Sequence, residues 1–247
     1  MSRERARARL LGMDRRDFLR FGGASLSAML FGACDSQGPA GAQKLLDYAE
    51  KKNEGVERAL FRHTSMDRAK PNVVAAGNQF PSYFVSDTVP VLDAAALAAW
   101  RLEIGGMVEN PLSLTLSDLM RIDRRTQRVN HYCVEGWTAV AQFTGAPLRT
   151  LAKLAMADPK AEYVDFQSFD DGYHESWDVE SALHPQTLIV YAKDGAALSP
   201  AYGAPARVHS PVKLGYKNTK YLTKIMFMPA RNGGYWSDQG YEWYGGV

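Results

Sequence analysis

The seven residues His131-Tyr132-Cys133-Val134-Glu135-Gly136-Trp137 bring an imidazole, a phenol, a thiol, a carboxylate and an indole into one short stretch. The chain has two cysteines, and the other, Cys34, ends an N-terminal segment with the marks of an export signal. Cys133 is therefore expected to close no internal disulfide. Three chemistries stay open for it: an inert buried thiol, a reactive thiolate or a metal ligand. Judged on the thiol alone the first is favoured, because free cysteine is among the most buried residue types. His131, Tyr132 and Glu135 are candidates for orienting a substrate or delivering a proton beside it.

The elements around this stretch must hold it still. Thr126 to Cys133 alternates as a strand and would carry the thiol to its C-terminal end, where the sheet fixes the backbone and the tip stays accessible. A sharp turn at Gly136 follows, then a second turn at Gly145-Ala146-Pro147 and a helix from Leu148 to about Met156. Upstream, Trp100–Ile104 and Leu112–Leu116 alternate as strands, and Ser117 has the character of a helix N-cap. Downstream, Glu162–Phe169 reads as a strand, Trp177–Leu183 as a short capped helix leading to His184-Pro185, and Thr187–Ala192 as a buried strand closed by the turn Lys193-Asp194-Gly195. Ala206–His209 and Tyr221–Phe227 complete the sheet elements. No repeat is evident. The expected class is α+β, rich in mixed sheet.

The N-terminal third is different in texture. Arg15-Arg16-Asp17-Phe18-Leu19-Arg20 is a twin-arginine pattern, followed by an apolar run from Phe21 to Ala33 that is too short for the ~20 residues of a membrane span. Residues 1–33 are read as a twin-arginine signal peptide, 34–42 as a tether, and 43–247 as the catalytic domain with a helical extension over Gln43–Phe61. That route carries proteins already folded, the usual need of one loaded with a cofactor. Leu30-Phe31-Gly32-Ala33-Cys34 is similar to a lipobox, so the mature protein is expected to be periplasmic or exported and either lipid-anchored through Cys34 or soluble after simple cleavage. Pro71, Gly77, Pro81 and Pro90 break up the next passage, in which Asn78-Gln79-Phe80-Pro81-Ser82-Tyr83-Phe84-Val85 reads either as a binding loop or as an extended strand on the core. The formal net charge is +2, and the leader's seven arginines against Glu4, Asp14 and Asp17 account for four, leaving about −2 for the rest. Nucleic-acid binding through a charged surface is excluded on that balance.

Taken together, six stretches make a specific pattern. They are Cys133-Val134-Glu135-Gly136-Trp137, Gly145-Ala146-Pro147-Leu148, His184-Pro185-Gln186-Thr187-Leu188, Gly203-Ala204-Pro205-Ala206-Arg207, Gly215-Tyr216-Lys217-Asn218-Thr219-Lys220 and Gly234-Tyr235-Trp236-Ser237-Asp238-Gln239-Gly240-Tyr241. In this order the sequence resembles the molybdopterin-binding domain of the sulfite oxidase family, and within it the exported methionine-sulfoxide reductase branch. The resemblance implies a sulfite-oxidase-type fold, a Mo-molybdopterin cofactor and Cys133 as its one protein thiolate, a soft ligand suited to molybdenum. It also implies cofactor contacts from Asn78, Ser168, Arg207, Lys217, Asn218, Thr219 and Lys220, with the cations and backbone N–H groups holding a phosphate.

Two positions depart from the reductase branch: Tyr132 stands where that branch has an arginine, and Tyr202 where it has an asparagine. Sulfite is a dianion and asks for arginines around the metal, whereas no arginine lies between Cys133 and Leu148. The resulting expectation is an exported molybdenum oxidoreductase that performs oxygen-atom transfer, reducing a small or protein-bound sulfoxide. Oxidation of sulfite or another small anion is the enzyme alternative, and a non-catalytic lipid-anchored binding protein the alternative of another class. The sequence carries no Cys-x-x-Cys-His haem site, and it ends at Val247 without the immunoglobulin-like domain through which sulfite oxidases dimerise. A monomeric catalytic subunit served by a membrane haem electron-transfer subunit is therefore expected.

Overall fold

The computed structural model describes residues 42–61, 66–67 and 92–247. The expected signal peptide, the expected tether apart from Ala42, and Asn78 lie outside these residues. The chain divides into two compact units at Val56. A helix, α1 (Ala42–Leu60), matches the helical pattern expected there, and its side chains Leu45, Leu46, Val56 and Leu60 are exposed. No helix among the described residues is long and apolar enough to cross a membrane.

The larger unit holds α2 (Ala94–Ala99), β1 (Leu102–Gly106), β2 (Leu112–Leu114), α3 (Leu116–Arg121), β3 (Arg125–Tyr132), β4 (Thr138–Pro147), α4 (Leu148–Leu154), β5 (Tyr163–Ser168) and β6 (His174–Asp178). It continues with α5 (Val179–Ala182), β7 (Leu188–Lys193), β8 (Ala196–Ala197), β9 (Arg207–His209) and β10 (Leu222–Met228). Two five-stranded sheets result: β2-β1-β10-β5-β6, with β1 and β10 parallel, and β3-β4-β7-β8, with β9 also paired to β7.

The core follows from alternation along β7. Ile189 and Tyr191 join a cluster that also draws Ile104, Val164, Phe166, Ile225 and Phe227 from the first sheet, while Leu188 and Val190 join a second cluster with Val129, Ala141 and Phe143. A strand buried on both faces has to be apolar throughout, which is why this segment reads as an unbroken apolar run. On β9, Val208 points to the first cluster. Arg207 and His209, its neighbours on either side, take the opposite face, the one that carries the second cluster.

Three local expectations are corrected. The N-cap of α3 is Thr115, not Ser117: its hydroxyl accepts from Asp118 N at 3.1 Å while the Asp118 carboxylate accepts from Thr115 N at 3.0 Å, a reciprocal box that Ser117, already inside the helix, stands too late to make. Gly145-Ala146-Pro147 is not a turn but the end of β4, paired with Leu188, Ile189 and Val190. A Cβ at Gly145 would collide with the Ile189 carbonyl, so this glycine permits close backbone approach rather than chain reversal. Trp177 and Asp178 end a strand, and only Val179–Ala182 is helical, capped by Asp178 accepting from Ser181 N at 2.8 Å.

Candidate cofactor site

Cys133 is the first residue beyond β3, at the start of the loop joining β3 to β4. Its N–H donates to the Trp137 carbonyl at 3.0 Å, its carbonyl accepts from Gly136 N at 3.0 Å, and Gly136 takes the left-handed conformation (φ 86°) that closes this turn. The thiol is half-buried. Burial pushes it above its ordinary pKa and the Glu135 carboxylate adds to this, against backbone N–H groups that pull it down. Glu135 Oε2 accepts from Sγ at 3.9 Å and from Trp137 Nε1 at 3.0 Å. A reactive thiolate needs electropositive surroundings, which this thiol lacks, and an inert one would be sealed in hydrocarbon. A ligand whose proton is displaced by an arriving metal fits both observations.

The residues expected to flank the thiol part company. Tyr132 lies on the strand face shared with Asn130, where its hydroxyl donates to Asp67 at 2.9 Å and accepts from Asn130 at 3.1 Å. Asp67 also accepts from Asn130 N and Nδ2, so the three form a clasp on the outer face of β3. His131 takes the opposite face, is buried, and sits 3.3 Å through Nδ1 from Nε2 of His209. Burial first, then Arg207 and Lys220, lower its pKa to about 3; His209 is driven well below the usual range by burial, His131 and Arg207. Both rings are neutral at physiological pH.

Arg207 is the centre of the buried polar group. It is 2% exposed, and its guanidinium donates to the carbonyls of Asn218 at 3.0 Å, Val208 at 3.3 Å and Tyr202 at 3.4 Å, with no carboxylate partner among the described residues. Burial lowers its pKa to about 10, with Tyr173 and Tyr221 offsetting in part. Lys220 donates to the Ala201 carbonyl at 3.0 Å; burial and then Arg207 lower it to about 7. A buried cation of this kind is costly unless an anion joins it. Around Arg207, His209 Nδ1, Thr219 Oγ1 and Tyr221 OH are buried without a hydrogen-bond partner among the described residues. Native chains leave few such atoms unsatisfied. A guest with negative charge and several acceptor atoms would answer both deficits, and molybdopterin, with its phosphate and its dithiolene, is such a guest.

The other expected contacts divide. Thr219 lies in this group, and Asn218 contributes the carbonyl that holds Arg207. The Asn218 side chain is not free for a ligand: Oδ1 accepts from Ser210 N at 2.7 Å and Nδ2 donates to the Leu214 carbonyl at 2.9 Å. Lys217 is corrected as a cofactor cation, because its ammonium pairs with Glu175 at 2.5 Å with both side chains fully buried. Lys213 is used likewise, paired with Asp178 at 2.7 Å. Ser168 is buried at the end of β5, opposite Leu222 in register and bonded to Asp170 at 3.3 Å. His209 was not foreseen, since a single histidine in an apolar strand has the signature of a core residue. Among the described residues no three His, Cys, Asp or Glu side chains cluster to hold a metal.

Residues 87–236 match the model of the oxidoreductase molybdopterin binding domain. The chain is 42% identical over 167 residues to a putative protein-methionine-sulfoxide reductase subunit, YedZ1, of Azospira oryzae, covering 68% of this chain and 62% of that protein. It is 30% identical over 198 residues to the protein-methionine-sulfoxide reductase catalytic subunit MsrP of Xanthomonas axonopodis pv. citri, covering 73% and 61%. The chain thus spans about three-fifths of the length of these curated relatives. Among solved structures, the sulfane dehydrogenase SoxCD of Paracoccus pantotrophus shares the fold, with a TM-score of 0.53 at 22% identity over 57% of this chain and 40% of that one. A family match that runs over more than half the chain, and takes in both the hairpin thiol and the buried cations, means that this chain belongs to the oxidoreductase molybdopterin-binding domain family, of the sulfite oxidase type, and is a Mo-molybdopterin enzyme domain.

Proposed function

We propose that this domain reduces an S-oxide of the methionine-sulfoxide type at a molybdenum centre ligated by Cys133. The observation that carries the choice of substrate is the hairpin itself: the thiol is flanked by the Glu135 carboxylate and the Trp137 indole, with Glu135 Oε2 3.9 Å from Sγ. An anion placed there repels a dianion such as sulfite and tolerates a neutral sulfoxide, which asks for one donor and an apolar wall. The names of the two relatives point the same way.

When bound, the cofactor supplies two-electron oxygen-atom transfer. Removing oxygen from an S-oxide consumes two electrons and two protons and releases water. Cys133 holds the metal at the rim of the sheet, and Gly136 keeps the loop short enough to fix its direction. Glu135, exposed and next to the thiol, is the group placed to hand on protons, while Trp137 closes one side of the site. Arg207 and Lys220 would neutralise the anionic cofactor, leaving Glu135 as the charged group beside the thiol. Ser168, Thr219 and Asn78 are assigned as further cofactor contacts.

The reading extends to the cell. The twin arginines Arg15-Arg16 support export of the folded, loaded domain to the periplasm, with Cys34 as a lipid-anchor position, and electrons would come from a separate haem-bearing membrane subunit. Steady-state turnover of the purified protein with methionine sulfoxide and a dye reductant, beside sulfite and a dye oxidant, tests the substrate. Turnover of the sulfoxide is expected, and turnover of sulfite alone would overturn the proposal.

A further inference from the structure

His209 is a buried histidine whose ring is only partly engaged. It is 0% exposed and lies on β9, two residues from Arg207 and on the same face. Its ring is held on two sides: Nε2 meets His131 Nδ1 at 3.3 Å, and the Phe143 ring packs on it at a centroid distance of 4.1 Å. The remaining polar atom, Nδ1, is buried with no hydrogen-bond partner among the described residues. A core histidine uses its nitrogens locally, as His184 does when Nδ1 accepts from Gln186 N at 3.2 Å.

The surroundings identify what Nδ1 is for. The segment from Asn218 to Leu222 runs beside β9, joined by Val208 N to the Thr219 carbonyl at 3.0 Å and Leu222 N to the Ala206 carbonyl at 2.8 Å. Its Thr219 Oγ1 and Tyr221 OH are the other two unpartnered buried atoms of this region, and Arg207 is the cation among them. Among the described residues these three atoms lack partners and the Arg207 guanidinium lacks a carboxylate, and His209 and Tyr221 both lie within electrostatic reach of it, so a guest of negative charge would satisfy them together.

We propose that His209 is a cofactor-contact residue, donating the N–H of Nδ1 to the anionic part of bound molybdopterin while His131 holds its Nε2. This requires the tautomer in which His131 is the donor between the two rings. If His131 Nδ1–H donates to His209 Nε2, His209 carries its own proton on Nδ1 and faces the anion with a donor; the reverse order would face it with a lone pair. Because His131 stands two residues before Cys133, the pair also ties the thiol hairpin to the cradle around Arg207. The inference rests on the cofactor reading above.

The test uses the full chain produced in a molybdenum-replete host, with His209→Leu, which removes both contacts, and His209→Asn, which keeps an amide donor near the Nδ1 position. Pterin per chain is read after gel filtration as its fluorescent oxidation product, and the melting temperature is read on cofactor-stripped protein. His209→Leu is expected to retain pterin roughly tenfold less well, the effect of one buried hydrogen bond to a charged group, while its stripped form melts no lower than that of His209→Asn, since both variants lose the His131 contact. His209→Asn is expected to recover most of the retention. Parental retention by His209→Leu would overturn the proposal, and so would equal losses in both variants that track a lowered melting temperature. A parent chain that carries no pterin would overturn the cofactor reading and this inference together, a result visible before any variant is made.

Discussion

At the residue scale, the site is decided by which face of β3 each side chain takes. His131 and Tyr132 are neighbours in sequence and both were candidates for the reaction, yet the pleat sends them to opposite faces. Tyr132 is engaged by Asp67 and Asn130 and works as a clasp for β3. Tyr132→Phe is therefore expected to lower stability by about 1 kcal/mol, the value of one part-buried hydrogen bond, and to change turnover by less than about threefold. Urea denaturation and steady-state kinetics on one preparation check both. A large loss of turnover at unchanged stability would return Tyr132 to the reaction. Cys133 itself was legible, since a lone thiol at the end of an alternating strand and before a glycine turn is an unusual combination. Asp67 was not, because a partner 65 residues away leaves no local trace.

At the scale of elements, β3 and β7 could be read because their patterns are the direct consequence of burial on one face or on both. β4 was obscured: Gly145-Ala146-Pro147 has the composition of a turn, and only the approach of β7 shows why glycine is needed in a strand. Gly145→Ala is expected to cost more than about 2 kcal/mol, since its Cβ meets the Ile189 backbone, which cannot move without parting β4 from β7. Thermal unfolding of the variant measures this. A midpoint within a degree or two of the parent's would show that the pair of strands can relax. The lysines misled for a related reason. Lys213, Lys217 and Lys220 stand within eight residues and read as one basic loop, but two of them reach Asp178 and Glu175, which lie 35 and 42 positions earlier in the chain. A sequence shows the cations together and hides that their counter-ions are elsewhere.

At the scale of the molecule, those buried pairs bind the C-terminal segment to the sheet. Lys213 donates to Asp178 at 2.7 Å and to the Tyr244 carbonyl at 2.6 Å. Burial alone would raise the Asp178 pKa, but the ammonium of Lys213 and the N–H of Ser181 reverse this and bring it to about 2, from an ordinary 3.8. Between those values the unfolded chain binds the proton and the folded one does not, so this carboxylate contributes on the order of 2 kcal/mol above pH 4 that is lost as the pH falls through about 2. Lys213→Met leaves Asp178 buried without its cation. It should destabilise the fold by about 3–5 kcal/mol at neutral pH and move the acid-unfolding midpoint upward, as circular dichroism against pH would show; an unchanged midpoint would mean that the pair adds nothing.

We propose that the half-buried thiol of Cys133 completes the coordination of a molybdenum atom brought by a pterin that rests on Arg207. Molybdenum and pterin per chain, measured by elemental analysis and fluorescence on the parent and on Cys133→Ser from a molybdenum-replete host, test it most directly. About one molybdenum per parent chain is expected, with a loss in the variant beyond the roughly 10–100-fold that outer partners of a metal command. Metal far below one per chain in the parent, and the same in Cys133→Ser, would contradict it.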